Sequence, residues 1–464
     1  MAEEAGEPLD REAIELEACA SKAPAGGPAS GGWLDRFFQL GARGSTVGRE
    51  VMAGLTTFLA MAYILFVNPQ ILAQAGMDPG AVFVATCFAT AAGTLIMGLY
   101  ANFPIAVAPG MGLNAFFTYG VVLGLGVPWQ VALGAVFLSG VAMLALSLSP
   151  IREWIINAIP RDMKLAISAG IGMFLLIIGM SDMGLVVADP ATLLTVGNLT
   201  AAPVVLAVVG FLLIVLLEAR SLPGAMIAGI LATALLGVGL GLAEFSGITS
   251  APPSVALTFM ALDVGSAFTL ALLGVVISLL FVDFFDTAGT LIAVAHKAGL
   301  LDEEGKLPGM RKALVADSTA TIIGAAVGTS SVTSYVESAA GVRAGGRTGL
   351  TAVVVAVLFL AALLLSPLAG MIQSYATGPA LVFVGCVMVS GLAEIDWRDP
   401  TSFVPAVITA AGMPFTYSIA TGLGLGFIAY AVLKVGSGKW REAGVGVLVL
   451  AALFFLKFAL LDPA

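Results

Sequence analysis

Residues 328–341 read Gly328-Thr-Ser-Ser-Val-Thr-Ser-Tyr-Val-Glu-Ser-Ala-Ala-Gly341, and residues 103–114 read Phe103-Pro-Ile-Ala-Val-Ala-Pro-Gly-Met-Gly-Leu-Asn114. Both fall where an apolar span is due, and neither reads as an uninterrupted helix. The first is a hydroxyl-rich run around Glu337; the second carries two prolines and two glycines, which interrupt a helix interior. Irregular backbone at membrane depth is tolerated only where protein buries it or it lines a cavity. Pro109–Asn114 and Tyr335–Ala339 are therefore each predicted to run from a short strand into a half-helix. The amino ends of such half-helices offer free N–H groups and partial positive charge to a ligand. A Pro-kinked helix is the plainer reading of 103–114. Glu337 in the companion stretch decides against it, since a carboxylate has little reason to sit in a mere kink.

Composition places these stretches in a bilayer. The chain has 464 residues, 59% hydrophobic and 11% charged, with mean hydropathy +1.04, far from the balance of a soluble domain. Apolar runs long enough to cross about 30 Å of hydrocarbon as helices recur throughout, and the short alternating segments of a β-barrel are absent. Crossings are expected near 50–68, 81–99, 105–121, 128–148, 164–181, 202–217 and 222–243. A second set is expected near 267–295, 312–328, 332–343, 348–366, 376–392, 401–416 and 418–434. With the amino end inside, no Lys or Arg is left in an outer loop, as the positive-inside bias requires. The apolar stretch 443–460 is unplaced: a further crossing, a surface helix, or a sign that 401–434 is split wrongly. Residues 1–45, with seven acids before Cys19 and then Ala23-Pro-Ala-Gly-Gly-Pro-Ala-Ser-Gly-Gly, read as a disordered cytoplasmic tail without a signal peptide's apolar core.

The formal charge of −9 owes much to that tail and implies no nucleic-acid partner. Cys19, Cys87 and Cys386 form neither a disulfide framework nor a metal site. His296, the lone histidine, lacks the partners of a metal ligand and reads as interfacial. Neither a cofactor nor a metal is called for.

The two sets of crossings resemble each other in sequence. Ala89-Thr-Ala-Ala-Gly93 aligns with Ala320-Thr-Ile-Ile-Gly324, and Pro109–Gly112 with Ser338–Gly341. Ile167–Gly172 then aligns with Val382–Val387, and Pro223–Gly229 with Ala420–Gly426. Seven is odd, so the second copy is inverted. Inverted repeats mark secondary transporters, whose substrate site lies at the midplane where discontinuous helices of the two halves meet. Ionisable residues at that depth are costly and mark substrate or ion paths. Asp283, Asp286 and Glu337 are the candidates singled out among them. Asp283 and Asp286, three apart, share a helix face, so one is a site residue and the other its support, with Asp286 preferred.

The stretches Gly48–Pro69, Ala108-Pro-Gly-Met-Gly-Leu-Asn114-Ala-Phe-Phe117, Phe281-Val-Asp-Phe-Phe-Asp286-Thr-Ala-Gly-Thr290 and Ser334-Tyr-Val-Glu337-Ser338 resemble the AzgA-like purine permeases of the nucleobase/cation symporter-2 group, over about residues 33–460. The resemblance implies an all-α membrane protein of fourteen segments in a seven-plus-seven inverted repeat. Its core domain would comprise 46–148 and 267–366, its gate domain 149–266 and 367–442, with 443–464 apart. It implies proton-coupled uptake of adenine, guanine or hypoxanthine across the plasma membrane by an elevator-like movement, and a homodimer is common in the group. Asp286 matches the segment-8 carboxylate and Glu337 the segment-10 carboxylate that hold the base; Glu337 is expected mainly to grip it and Asp286 to couple binding to a proton. Tyr335 matches an aromatic position, and Pro109, Gly110 and Met111 a backbone turn lining the same pocket. Asn114 and Ser338 flank these stretches and join the substrate candidates. In the uracil and xanthine branches His or Asp often stands four residues after the segment-8 acid; here it is Thr290, and Asp283 is the candidate substitute in the proton route.

A purine is a flat ring with adjacent donors and acceptors, so a pocket needs an apolar slot and groups that accept and donate. Phe284, Phe285 and Tyr335 are candidates for the slot. Rival readings are a pyrimidine, xanthine or anion carrier of the same fold, and an intramembrane metal-dependent enzyme using Asp283 and Asp286. The membrane-depth Glu337 opposes an anion, and a metal enzyme needs a second acidic cluster.

Overall fold

The structure, a computed structural model, describes residues 32–149, 160–245, 247–302 and 307–460. Most of the expected acidic tail, with Cys19, lies outside the described residues. The chain enters through a short helix α1 (Trp33–Phe38) and continues as α2 (Val47–Met61) and α3 (Ile64–Gln74). Thr46 starts α2, its side chain accepting from the Arg49 N–H. Helix α4 (Pro79–Ile96) runs on in a wider π-turn to Ala101, then strand β1 (Val107–Pro109) leads into the half-helix α5 (Met111–Ala115), extended by a π-turn to Leu123. Helices α6 (Trp129–Leu148) and α7 (Arg161–Asp182), a hairpin β2 (Val186–Asp189)–β3 (Leu193–Val196), and α8 (Ala202–Ala219) and α9 (Ala225–Gly239) complete the first half.

The second half holds α10 (Val264–Ala267), α11 (Leu270–Lys297), α12 (Met310–Val327), strand β4 (Val332–Ser334) and half-helix α13 (Ser338–Arg343). After these come α14 (Gly349–Ala361), α15 (Ser366–Met371), α16 (Ser374–Val389), α17 (Pro400–Phe415), α18 (Ile419–Gly436) and α19 (Trp440–Leu460). Among the described residues, ten helical spans are long and apolar enough to cross a membrane. The strand-to-half-helix form expected for segments 3 and 10 is present in both copies. The first crossing is longer than expected, Val47–Gln74, and breaks at Ala62–Tyr63.

The aligned repeat segments pack against one another about the centre. Strands β1 and β4 pair antiparallel, with Val107 opposite Ser334, Ala108 opposite Thr333 and Pro109 opposite Val332. On either side lies a helix whose glycine admits its own strand. A Cβ on Gly93 would come within 2.6 Å of Val107 Cγ2, and one on Gly324 within 2.6 Å of Val332 Cγ2. A Cβ on Gly172 would stand 2.8 Å from the Gly385 carbonyl oxygen, and one on Gly385 2.7 Å from that of Gly172, so α7 and α16 touch backbone to backbone. Gly229 makes room for the Ile214 side chain and Gly426 for that of Thr409, at the crossings of α8 with α9 and α17 with α18. These close approaches are what small residues provide in membrane interfaces.

The helices form two packing sets. One contains α2–α6 and α11–α14 around the strand pair; the other contains α7–α9 and α16–α18. Helix α12 ends at Gly328, whose φ of +97° and closeness to Thr258 leave no room for a side chain. The division of 401–434 into two helices stands, since α17 and α18 turn at Thr416–Ser418. Helix α19 is separate and lies antiparallel to α18, with Phe454 stacked on Phe427. Its start is fixed by buried Lys434, whose Nζ lies 3.0 Å from Asp399 and 2.9 Å from Glu442. Thr401 and Lys434 together hold the Asp399 carboxyl well below the usual carboxylate range.

Candidate functional site

Two breaks of helix meet at the centre. Tyr63, buried at the joint between α2 and α3, donates its hydroxyl to Glu337 Oε1 at 2.7 Å. Glu337 sits between β4 and α13, with the chain turning through it from strand to helix. Its neighbour Tyr335 is buried and donates to the Pro109 carbonyl at 2.6 Å, tying the two broken segments together. Asp286 projects from α11 toward the same place: its charge and that of Glu337 act on each other, and Tyr335 lies within electrostatic reach of both. Glu337 and Asp286 are half-buried, whereas Tyr63, Asp283, Thr287, Tyr335 and Ser338 near them are sealed. The two acids are thus brought together, some 50 residues apart in sequence, at a place with residual access.

The other expected residues divide. Gly110 has its N–H bonded to the Ser331 carbonyl at 3.0 Å, and a Cβ there would meet Thr333 at 2.7 Å, so glycine permits the strand pair to close. Met111 opens α5, whose first-turn N–H groups precede the intrahelical ladder. Ser338 accepts the Ala106 N–H at 3.0 Å and so fastens α13 to the approach to β1. Asn114, a substrate candidate, is tied into an internal hydrogen-bond network. Fully buried, it donates to Asn68 Oδ1 at 2.6 Å and accepts from Ser330, while Asn68 donates to Thr86 and Thr329. One N–H and one lone pair of its amide are thus engaged within the protein.

The aromatic slot expected from α11 is also displaced. By the helical period, Phe281, Phe284 and Phe285 lie on the side away from Asp283, Asp286 and Thr290. Phe284 is 1% exposed and packs edge-on against Phe285, which stacks on Phe281. Tyr335 and Tyr63 are the aromatic groups beside the acids. Thr290 is buried on the acidic face of α11.

Two groups escape the sequence reading. Tyr63 lies in an apolar run that carries no sign of its break. Asp317, on α12, is fully buried and accepts from Ser334 Oγ and Thr287 Oγ1, each at 2.8 Å; an acid inside the ninth crossing was the available signal. Asp283 is equally sealed, accepting from Ser331 Oγ at 3.0 Å and Thr321 Oγ1 at 3.2 Å. No cluster of His, Cys, Asp and Glu suited to a metal ion occurs among the described residues.

A family model described as "Permease family" (Xan_ur_permease) matches residues 48–425. The chain belongs to this permease family. The permease is 49% identical to "Adenine permease AdeP" of Escherichia coli (strain K12), over 93% of this chain and 97% of that protein. It is 47% identical to "Guanine/hypoxanthine permease PbuG" of Bacillus subtilis (strain 168), over 91% and 99% respectively. Among solved structures it resembles the transmembrane domain of the cyanobacterial bicarbonate transporter BicA, with TM-score 0.59 and 14% identity over 87% of this chain and 97% of that one. It also resembles SLC26A9, with TM-score 0.62 and 11% identity over 94% and 72%. At such identities the two structures speak for the fold alone. The permease is therefore a multi-pass membrane transporter and not an enzyme.

Proposed function

We propose that this permease takes up purine nucleobases, adenine, guanine or hypoxanthine, together with protons across the plasma membrane, its amino end in the cytoplasm. The observation that carries the proposal is the pair of half-buried carboxylates, Asp286 and Glu337, at the meeting of broken helices in a chain so similar to adenine and guanine/hypoxanthine permeases. One oxygen of Glu337 is occupied by the Tyr63 hydroxyl; the other is free to accept from adjacent N–H groups on the base edge. Asp286, opposite, accepts when ionised and also donates when protonated, matching a ring that presents both. The Met111 end of α5 and the ring of Tyr335 complete the enclosure.

A proton belongs in this account because two carboxylates close together in a low dielectric do not both stay ionised cheaply. The anion reading of the same fold meets the opposite difficulty, since both acids repel an anion. Transport follows when the set containing α2–α6 and α11–α14, the core, carries the bound base past the other set, the gate, in an elevator-like movement. Uptake into proteoliposomes under an imposed pH gradient tests the reading, with uracil and xanthine as competitors. Wild type accumulates the purine; Asp286→Asn and Glu337→Gln lose proton-dependent accumulation. Full accumulation by both variants would sink the proposal.

A further inference from the structure

The two packing sets touch again beyond the base site, through aromatic rings. Helix α5 leaves that site at Met111 and is extended in π-form over Phe116–Leu123, which carries Tyr119. Phe174 stands on α7, and Tyr417 lies in the turn that joins α17 to α18. The rings of Tyr119 and Tyr417 meet edge-on with centroids 6.5 Å apart, and Tyr417 meets Phe174 edge-on at 5.6 Å. Tyr119 belongs to the set that holds Asp286 and Glu337, while Tyr417 and Phe174 belong to the other. The first contact therefore crosses the seam between the sets and the second does not. Phe174 is fully buried, Tyr119 half-buried and Tyr417 40% exposed, so the cluster runs from the interior to the surface.

Packing alone leaves the backbone under this contact unexplained. The Ser418 N–H donates to the Met413 carbonyl at 3.1 Å and the Tyr417 N–H to the Pro414 carbonyl at 3.3 Å. This is a Schellman helix end, whose left-handed position is ordinarily glycine. Tyr417 fills it with φ +49°, a costly conformation for a bulky side chain and one that clusters at ligand clamps and switches. Tyr119 stands in a run of eight residues of π-helix, a rare form frequent at functional sites. Both sides of the contact that crosses the seam are thus held by unfavourable backbone. Phe174, whose contact stays within one set, lies in ordinary α-helix.

We propose that Tyr119 and Tyr417 are the walls of an outer entry site for a flat heterocyclic base, closed here by the two rings meeting each other. This rests on the uptake reading above and adds to it a place where the base is held before it reaches Asp286 and Glu337. With the amino end in the cytoplasm, α5 belongs to an outward-running crossing, and Tyr119 lies on the outer side of the base. At the observed separations the rings are in contact, and no slot is left between Tyr119 and Tyr417. When the sets shift, Tyr119 leaves with α5, while Tyr417, kept on Phe174, bares its face to the incoming base. Stacking then replaces the lost ring contact, so the seam opens at less cost with a base than without one. Every base has a π-face and stacking is tolerant of its identity. The entry site accordingly admits adenine, guanine and hypoxanthine alike and leaves the choice to the carboxylates.

Adenine offered to intact cells that express the full-length permease reaches it from outside only. Tyr417→Leu is expected to raise the half-saturating adenine concentration about tenfold, and that of guanine by the same factor, and the aromatic replacements Tyr417→Phe and Tyr417→Trp to restore it. The Kd of the purified protein for adenine at equilibrium is expected to change less than about threefold in each. Tyr417→Gly relieves the left-handed strain, so it is expected to melt no lower than wild type and yet to behave in uptake like Tyr417→Leu. Normal half-saturation in Tyr417→Leu overturns the entry site, since apolar bulk then suffices; a Kd that rises in step with half-saturation does so too. In the double variant Tyr119→Cys/Tyr417→Cys, a short bifunctional thiol reagent added outside is expected to cut uptake at least about tenfold, with recovery on reduction and neither single variant affected. Undiminished uptake by the bridged protein means that the rings do not part during transport, and it overturns the proposal. A wild type that neither binds nor takes up adenine overturns the uptake reading and the entry site together, whereas wild-type uptake with every variant unaffected removes the entry site alone.

Discussion

Glu337 has one protein donor on Oε1, the Tyr63 hydroxyl at 2.7 Å, and this bond sets how the carboxylate faces its surroundings. A hydrogen bond to a charged group contributes about 1.5–3 kcal/mol, so losing it frees the carboxylate to turn and costs the base roughly 10-fold to 100-fold in apparent affinity. Tyr63→Phe is expected to raise the KM of purine uptake by that order, with maximal rate little altered. A kinetic series at fixed pH gradient measures it, and an unchanged KM would separate Tyr63 from the site. Asn114 makes the contrasting case. Its amide is shared between Asn68 and Ser330, so Asn114→Ala strands two buried polar groups, at roughly 1–3 kcal/mol each. Detergent-solubilised Asn114→Ala should therefore melt several degrees below wild type, while the fraction that folds should bind adenine with a Kd within about threefold. A large loss of affinity in well-folded protein would return Asn114 to the base site.

Half-helix α13 is short, Ser338–Arg343, and owes its position to α2 rather than to its own turns, since isolated helices of that length do not persist. The contact depends on Gly341, where a Cβ would lie 2.0 Å from Thr57 Oγ1 and 2.6 Å from the Ala53 carbonyl oxygen. Gly341→Val is expected to push α13 off α2 at about 1–3 kcal/mol of overpacking. A lower melting temperature together with lost uptake checks it; a stable, active variant would mean that α13 does not depend on this contact. Both half-helices could be read from the chain because proline, glycine and hydroxyl residues punctuate it there and break the apolar period. The joint at Tyr63 could not, since Leu59-Ala-Met-Ala-Tyr-Ile-Leu-Phe66 satisfies a continuous helix and only the tertiary bond to Glu337 reveals the break. The β2–β3 hairpin escaped for a related reason: its strands are only four residues each, too brief for a period of two to stand out. Asp317 was hidden by its setting, an acid near polar residues at the start of α12 that reads as an interfacial group until packing buries it. Asp286 and Glu337 stood out because nothing apolar-compatible explains a carboxylate in those runs.

The two packing sets meet through small residues, and that is the arrangement a sliding interface needs. Leu59 of α2 lies against Gly224 at the head of α9, and Gly112 of α5 lies against Ile171 of α7. At Gly112 a Cβ would come within 2.2 Å of Ile171 Cγ2, and because isoleucine is stiff about χ1, this atom does not swing aside. A side chain at 112 thus becomes a wedge between the set that carries the acids and the set that holds Ile171. If transport is an elevator movement, Gly112→Val obstructs the motion more than the binding. Turnover is expected to fall at least tenfold, equivalent to about 1.4 kcal/mol on the barrier, while the Kd for adenine measured at equilibrium changes less than about threefold. The double variant Gly112→Val/Ile171→Ala removes the far side of the clash and should recover much of the turnover. This non-additivity distinguishes a wedge from general damage, because residues in contact show coupling that distant ones do not. Normal turnover in Gly112→Val would mean that α5 and α7 keep the same contact throughout the cycle, and the base would then have to cross by local opening around Asp286 and Glu337 rather than by movement of one set past the other.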